Sequence, residues 1–157
     1  MTIACLFALI KNNYKTKMPN HSLPYHPKQG EVLRCDYSNL VDPEMSKVRW
    51  VVVVSPKFLN RPNLCTVVPL STTPPRKVEG HHVLLDKDPA PKSAEGTAVW
   101  AKCDMLMTVS FSRLSAYYDG RRLDGKRNYV NLNVSIQELG KIRLGVLHAL
   151  GLAYLWK

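Results

Sequence analysis

The chain has 157 residues, enough to bury a hydrophobic core but few for two domains of ordinary size. With 45% hydrophobic and 22% charged residues, it does not have the composition of a disordered protein. Its formal net charge of +10 indicates an anionic partner, most often nucleic acid, with solubility alone as the alternative explanation.

The N-terminal segment differs from the rest of the chain. Its apolar run, Ile3 to Ile10, follows no basic residue, precedes no convincing cleavage site and is too short to span a bilayer. Met18 is an alternative start. We interpret residues 1–27 as an extension, flexible or wrongly assigned as a start, and residues 28–157 as the folded domain. We expect a cytoplasmic protein without membrane contact.

Six segments predict β-strands, because they alternate apolar and polar residues or form short apolar runs between turn signals. In chain order they are Glu31–Tyr37, Arg49–Ser55, Leu64–Ser71, His81–Leu85, Thr97–Asp104 and Asn128–Leu132. The second is so apolar that we expect both of its faces to be buried. Polar loops separate the strands, among them Ser38–Lys47 and Thr72–Gly80.

One helix is predicted near the C-terminus. Ser135 and Glu138 have the spacing of a capping box, and Gly151 provides an end. An apolar stripe at helical spacing is expected to pack on the strands: Leu139, Ile142, Val146, Leu147 and Leu150. Short strands followed by one terminal helix predict a β-rich α+β fold, a bent sheet or barrel with the helix laid against it.

The cysteines and the histidine pair do not predict a metal site. No two of the four cysteines have C-x-x-C spacing, so we expect reduced, buried thiols in an intracellular protein. His81 and His82 lack a partner at metal-ligand spacing, and neighbouring strand residues point to opposite faces. We therefore predict neither a metal nor another cofactor.

Arg49 is a charged residue at the mouth of the most apolar strand. If the second and third strands form a hairpin centred on Asn60, residues whose numbers sum to 120 stand opposite one another, and Arg49 faces Ser71. A guanidinium and a hydroxyl then meet at the rim of the sheet. The alternative is a structural arginine paired with Asp36 or Asp104.

Trp100, Lys102 and Asp104 share one face of the fifth strand, opposite Val99, Ala101 and Cys103. Taken singly, Trp100 is interpreted as a half-buried core residue, and Lys102 and Asp104 as a surface ion pair that contributes little to stability. Together with Arg49 they supply what RNA cleavage through the 2′-hydroxyl needs: an acid–base pair, a fixed cation for the phosphorane and an aromatic face for an unpaired base. That chemistry needs no metal.

Four segments in order, GEVLRCDY, VRWVVVVSP, VVPLSTT and WAKCDMLMTVSFSRL, resemble the MazF/PemK family of toxins from toxin–antitoxin systems, over roughly Gly30 to Leu150. The resemblance implies an SH3-like small barrel with a C-terminal helix packed on the sheet, assembled as a homodimer. It implies a metal-independent endoribonuclease that cuts single-stranded RNA at short sequences and leaves a cyclic phosphate. It also implies a cognate antitoxin with an acidic, partly disordered tail.

Carried onto this chain, the resemblance assigns the catalytic residues to Arg49, Ser71, Lys102 and Asp104. Arg49 then stabilises the transition state, Ser71 positions the phosphate, Asp104 is the base, and Lys102 or Arg49 is the acid. RNA contacts are expected from Lys47, Thr72, Arg76, Lys77, Trp100, Arg121 and Arg122, with the loops Ser38–Lys47 and Thr72–Gly80 as groove walls.

The chain departs from the family pattern at three site positions. Ser71 replaces a threonine, Lys102 replaces an arginine and Met105 replaces a glutamine. The departures at Ser71 and Lys102 sustain a second interpretation, a catalytically weak or inactive nucleic-acid-binding module of the same fold, whereas Met105 affects which bases are read. A protein-interaction domain is a third, which the charge of +10 disfavours unless its partner is acidic.

Overall fold

A computed structural model describes residues 23–57, 61–91 and 96–156. Most of the predicted extension, and Cys5 with it, lies outside the described residues. Within them, Leu23 is buried and its backbone N–H donates to the carbonyl of Phe111, at 3.2 Å. No described helix is long and apolar enough to cross a membrane.

Strands dominate the described part of the chain. They are β1 (Val32–Asp36), β2 (Val48–Val53), β3 (Leu64–Ser71), β4 (His82–Leu84), β5 (Trp100–Lys102), β6 (Met107–Ser110), β7 (Leu114–Ser115), β8 (Tyr118–Arg121) and β9 (Arg127–Tyr129). The helix α1 spans Ile136–Ala149, and 3₁₀ turns lie at Cys103–Met105, Phe111–Arg113 and Ala153–Leu155. All six predicted strands are present, most with shorter bounds, whereas β6, β7 and β8 were not predicted.

An antiparallel sheet organises the fold around β3. Its order is β4-β5-β3-β2-β1-β7, and β6 also pairs with β3. β2 occupies one edge of β3, while β6 and β5 share the other edge and are separated by the 3₁₀ turn at Cys103–Met105. β8 and β9 form a separate two-stranded hairpin.

The hairpin of β2 and β3 has the predicted register. Val51, Val52 and Val53 pair with Pro69, Val68 and Val67. β2 is buried on both faces, as predicted, because each face supports its own hydrophobic cluster. Val51 and Val53 belong to one cluster, with Leu33, Cys35 and Val67, while Val52 belongs to the other, with Val68, Ala101, Leu139 and Ile142.

Helix α1 covers the second cluster, and its predicted ends are confirmed. Ser135 Oγ accepts from the backbone N–H of Glu138, whose carboxylate accepts from that of Ser135. At the other end, the N–H groups of Gly151 and Leu152 donate to the carbonyls of His148 and Leu147, a Schellman motif.

The apolar stripe of α1 packs on the sheet only in part. Leu139 and Ile142 are buried and Val146 packs against them. The prediction for Leu150 is wrong: it is the C-cap residue, where the chain leaves the helical path, and it is 59% exposed. The backbone of α1 approaches the sheet closely at Gly145, where a Cβ atom would lie 2.7 Å from Sγ of Cys103.

The described cysteines are buried free thiols, as predicted. Burial is the main cause that raises the pKa of the Cys35 thiol to about 11 and those of Cys65 and Cys103 to about 12. They therefore stay protonated at neutral pH and serve as small core residues.

Candidate functional site

One face of the sheet carries the predicted residues in a row across four strands. Ser71 of β3 pairs with Trp100 of β5, which pairs in turn with Leu84 of β4. The ladder of β2 and β3 ends at Val51 and Pro69. If its register continues for two more residues, Arg49 of β2 is opposite Ser71 and extends the row on that side. We call this row, with Lys102 of β5, the open face.

The open face is a continuation of a core face. Arg49 lies on the same side of β2 as the buried Val51 and Val53, because alternate residues of a strand share a face. At this end of the sheet the buried hydrophobic cluster ends, and the side chains of the strands become partly exposed. Arg49, Ser71 and Trp100 are half-buried and Leu84 is exposed, so the strand ends hold polar and aromatic side chains at the edge of solvent.

Arg49 is positioned by the loop before β2. Its Nε donates to the carbonyl oxygen of Ser46, at 3.2 Å. No salt bridge joins it to Asp36 or Asp104 within the described ranges, so the alternative of a structural ion pair with either carboxylate is wrong. Asp36 instead accepts from the backbone N–H of Ser38, at 2.9 Å. The outer nitrogens of the Arg49 guanidinium point to no described carboxylate and suit an external anion.

Ser71 ends β3 and begins the following turn. Its Oγ accepts from the backbone N–H of Thr73, at 3.1 Å, which fixes the hydroxyl oxygen at the rim of the sheet. Because that oxygen already accepts a hydrogen bond, the hydroxyl proton is directed elsewhere and is free to donate to an anion.

Lys102 and Asp104 lie at the end of β5. Trp100 and Lys102 face away from the second cluster, which contains Val99, Ala101 and Cys103, as predicted. Burial lowers the pKa of the Lys102 ammonium, and the nearby Asp104 carboxylate only partly opposes this. Asp104 itself lies in the 3₁₀ turn and is exposed. A lysine with a lowered pKa is a better proton donor than an ordinary surface lysine.

The histidines beside Asp104 were not recognised as part of the site. The expectation that they point to opposite faces is wrong, because β4 begins at His82 and His81 belongs to the preceding turn. Their ring centroids lie 4.1 Å apart, and Nε2 of His81 lies 3.9 Å from Oδ2 of Asp104. Strand alternation does not apply across a strand end, so the sequence alone gave no signal for this arrangement.

The remaining predicted RNA contacts divide between the loops and the hairpin. Four of them are exposed in the loops that precede β2 and follow β3, close in sequence to Arg49 and Ser71: Lys47, Thr72, Arg76 and Lys77. Arg121 and Arg122 belong to the hairpin of β8 and β9, which no ladder joins to the strands of the open face.

The hairpin borders a wide cleft of about 1230 Å³. Arg127 stacks over the ring of Tyr118, at 4.7 Å from its centroid, and Tyr129 meets the same ring edge-on. The cleft contains none of the four predicted catalytic residues. Its aromatic and arginine lining resembles a binding surface more than a site of proton transfer.

The sequence matches a known family along most of the described fold. A sequence model of the family described as "PemK-like, MazF-like toxin of type II toxin-antitoxin system" matches residues 28–127. The chain belongs to this toxin family. The uncharacterized protein YifN of Escherichia coli (strain K12) is 28% identical over 149 residues, covering 82% of this chain and 95% of YifN. An uncharacterized Haemophilus influenzae protein is 32% identical over 112 residues, covering 60% and 73%.

Solved structures share the PemK-like, MazF-like fold. MazF from Deinococcus radiodurans superposes with a TM-score of 0.56 at 15% identity, over 81% of this chain and 98% of that one. A mycobacterial endoribonuclease, solved in complex with its cognate antitoxin, gives 0.53 at 23% identity over 81% and 97%. The predicted fold class, a β-rich antiparallel sheet with one C-terminal helix, is confirmed.

Proposed function

We propose that this toxin-family protein is an endoribonuclease that cuts single-stranded RNA, without a metal cofactor, by attack of the RNA's own 2′-hydroxyl. The observation that carries the proposal is the row of Arg49, Ser71 and Trp100 across β2, β3 and β5, with Lys102 and Asp104 at one end. This is a phosphate-binding cation and hydroxyl, an aromatic surface and an acid–base pair on one open face.

The reaction transfers two protons and moves one negative charge. A base removes the 2′-hydroxyl proton, the oxygen attacks phosphorus, and an acid protonates the leaving 5′-oxygen. The products are a 2′,3′-cyclic phosphate and a 5′-hydroxyl. Between the substrate and these products lies a phosphorane, and its equatorial oxygens carry negative charge that fixed donors must stabilise.

Arg49 and Ser71 suit the phosphate. The guanidinium stays charged at every working pH and offers a fork of donors to two phosphate oxygens. The Ser71 hydroxyl, held by the N–H of Thr73, donates to a phosphate oxygen from the neighbouring strand. Donors fixed before the substrate binds need little reorganisation in the transition state.

Lys102 and Asp104 suit the proton transfers. The lowered pKa of Lys102, caused by its partial burial, favours the role of acid. The exposed Asp104 carboxylate accepts a proton as the base. Since both groups project from one end of β5, they can flank a phosphate held by Arg49 and Ser71.

We also propose a cognate antitoxin and a homodimer. The formal charge of +10 attracts an acidic, partly disordered antitoxin segment across the open face and its basic loops. The mycobacterial structure contains an antitoxin bound to its endoribonuclease, which supports this type of partner. The mass of the purified protein by light scattering tests the homodimer.

The decisive experiment is cleavage of a long RNA with many sequence contexts, in EDTA, by the full chain. Discrete cuts ending in cyclic phosphate are expected, with losses of at least about 100-fold in Arg49→Ala and Asp104→Ala, the range of an oxyanion donor or general base. Arg61→Ala is the matched control, since Arg61 is an exposed arginine in the turn at the opposite end of the hairpin.

The outcomes separate the proposal from its alternative. RNA bound in a salt-dependent manner but left intact by the wild type supports the inactive nucleic-acid-binding module instead. Cleavage that survives both substitutions retains the nuclease and refutes the assignment of its site.

A further inference from the structure

Three side chains with metal-binding atoms lie together at the start of β4, and a fourth lies beside one of them. His81, His82 and Asp104 each offer one such atom, all within 4.8 Å of one another. Glu79 adds a fourth, because its Oε2 lies 3.8 Å from Nε2 of His81. We propose that this histidine–carboxylate cluster binds a divalent transition-metal ion, with Zn²⁺ the best fit, and that the bound ion inhibits RNA cleavage.

The donor set fits zinc by chemistry and by spacing. Imidazole and carboxylate are ligands that Zn²⁺ takes, whereas Mg²⁺ prefers oxygen ligands alone. In a tetrahedral zinc site, neighbouring ligand atoms lie roughly 3.3 Å apart. Nε2 of His81 is 3.8 Å from Glu79 and 3.9 Å from Asp104, and small rotations of these exposed carboxylates close the difference.

The backbone holds the cluster in place without the ion. The N–H of Cys103 donates to the carbonyl of His81, at 3.1 Å, which ties the histidine turn to the turn of Asp104. The N–H of His82 donates to the carbonyl of Glu79, at 2.9 Å. Gly80 packs against the helix, since a Cβ atom there would lie 2.5 Å from Nδ1 of His148. A bound ion therefore needs to order little backbone.

Two features oppose the ion and limit its affinity. Nδ1 of His82 accepts from the backbone N–H of Glu79, at 3.1 Å, and coordination through either ring nitrogen breaks this bond. Lys102 faces His82 across the β4–β5 ladder and adds a positive charge. Two carboxylates, from Glu79 and Asp104, offset that charge. We therefore expect a micromolar dissociation constant, weaker than that of a structural zinc site.

Inhibition follows from the identity of one ligand and rests on the proposed function. A carboxylate that coordinates zinc is less basic, so it is a poorer acceptor for a 2′-hydroxyl proton. The ion also neutralises the charge that lets Asp104 act as a base. The cluster thus allows zinc to switch off an enzyme that needs no metal.

The test is direct binding of metal to the full-length, tag-free protein. We expect Zn²⁺ to bind one per chain in calorimetry, and Co²⁺ to give visible bands without sulfur-to-cobalt charge transfer, which excludes thiolate ligands. His81→Gln and His82→Gln are expected to weaken binding at least tenfold. His26→Gln is the matched control and keeps the affinity, because His26 lies outside the cluster and its ring packs edge-on against Phe111.

Activity is measured separately, on a short RNA, in EDTA and in saturating Zn²⁺ or Mg²⁺. Zinc is expected to lower the wild-type rate at least tenfold, to affect His81→Gln much less, and Mg²⁺ to have no such effect. Absence of zinc binding, or equal loss of affinity in His26→Gln, overturns the metal site even if RNA is cut. Zinc binding by a protein that cuts no RNA in EDTA retains the metal site and refutes the nuclease.

Discussion

Ser71 and Trp100 are directly opposed partners in the ladder of β3 and β5. Opposed residues share a face, with Cβ atoms about 4.5–5.5 Å apart, so the indole stands beside the hydroxyl. On its other side Trp100 is opposed by Leu84, which is 47% exposed. If RNA binds here as proposed, a nucleobase stacked on this apolar surface would place its phosphate within reach of Ser71, and stacking and phosphate binding would depend on the same ladder.

Trp100→Ala is expected to weaken RNA binding more than it weakens the fold. Loss of one base–aromatic stack costs about 1–3 kcal/mol, or roughly five- to 150-fold in affinity. Trp100→Phe keeps a π-face and is expected to lose little. The measurement is fluorescence anisotropy with a labelled, 2′-O-methylated RNA, which binds but lacks the attacking hydroxyl.

The control for this prediction is Trp156→Ala, since Trp156 is an exposed tryptophan at the C-terminal end. Its affinity should match that of the wild type. Equal losses in the two variants would show that RNA does not discriminate between these tryptophans, and stacking at the open face would be refuted.

Substitutions at Ser71 separate the hydroxyl from the turn it supports. Ser71→Thr keeps the oxygen and restricts its rotamer, so we expect cleavage at or above the wild-type rate. Ser71→Ala removes the donor to phosphate, and we expect a loss of about 10²-fold in kcat. The hydrogen bond from Thr73 is also lost, at a cost of about 1 kcal/mol in the free energy of unfolding. Single-turnover kinetics and urea denaturation measure the two effects separately.

The rate of cleavage is expected to fall on the alkaline side with the titration of Lys102. Burial lowers the pKa of this ammonium below its ordinary 10.5. If the protonated lysine is the acid, activity is present below that lowered pKa and is lost as pH rises through it. The pH profile of kcat on a substrate with a single ribonucleotide, corrected for uncatalysed hydrolysis, locates this limb.

Lys102→Arg gives the control for the alkaline limb. Arginine keeps the charge but does not lose its proton in this range, so the limb should disappear and the maximal rate should drop, since arginine is a poor acid. An unchanged limb in Lys102→Arg would assign the titration to another group and exclude Lys102 as the acid.

The sequence predicted much of the site because β-strands impose a simple geometry. Alternation put Trp100 and Lys102 on one face, and the symmetry of one hairpin gave the register that opposes Arg49 to Ser71. Both inferences rest on the fixed two-residue period of a strand. The capping box of α1 could also be predicted from the sequence, because its hydrogen bonds join residues that are three positions apart.

The features that were missed depend on where strands end. β7 is only two residues long, Leu114–Ser115, so its sequence cannot show the apolar–polar alternation that predicts a strand. The proximity of His81 to Asp104 arises because one residue precedes β4 and the other follows β5, and no local pattern reports it. A glycine such as Gly145 indicates from sequence only a weaker helix, since its close approach to the sheet involves residues far away in sequence.

The two glycines of α1 provide the last prediction, a matched pair for stability. A Cβ atom on Gly145 would lie 2.7 Å from Sγ of Cys103 and 2.9 Å from Cγ2 of Val83, both buried or half-buried neighbours that cannot easily withdraw. Gly145→Ala should therefore lower the free energy of unfolding by about 1–3 kcal/mol, the usual cost of overpacking.

Gly140→Ala is expected to act in the opposite direction. Nothing lies within 4 Å of a Cβ atom at Gly140, so alanine gains helix propensity of up to about 1 kcal/mol without a clash. Thermal unfolding measures both, at roughly 2–4 °C for each kcal/mol in a domain of this size. Since α1 packs against Cys103 at the end of β5, next to Asp104, Gly145→Ala should also reduce cleavage. Gly140→Ala should leave cleavage unchanged. If Gly145→Ala were as stable as Gly140→Ala, α1 would not approach Cys103 closely, and the packing that supports Asp104 would need a different account.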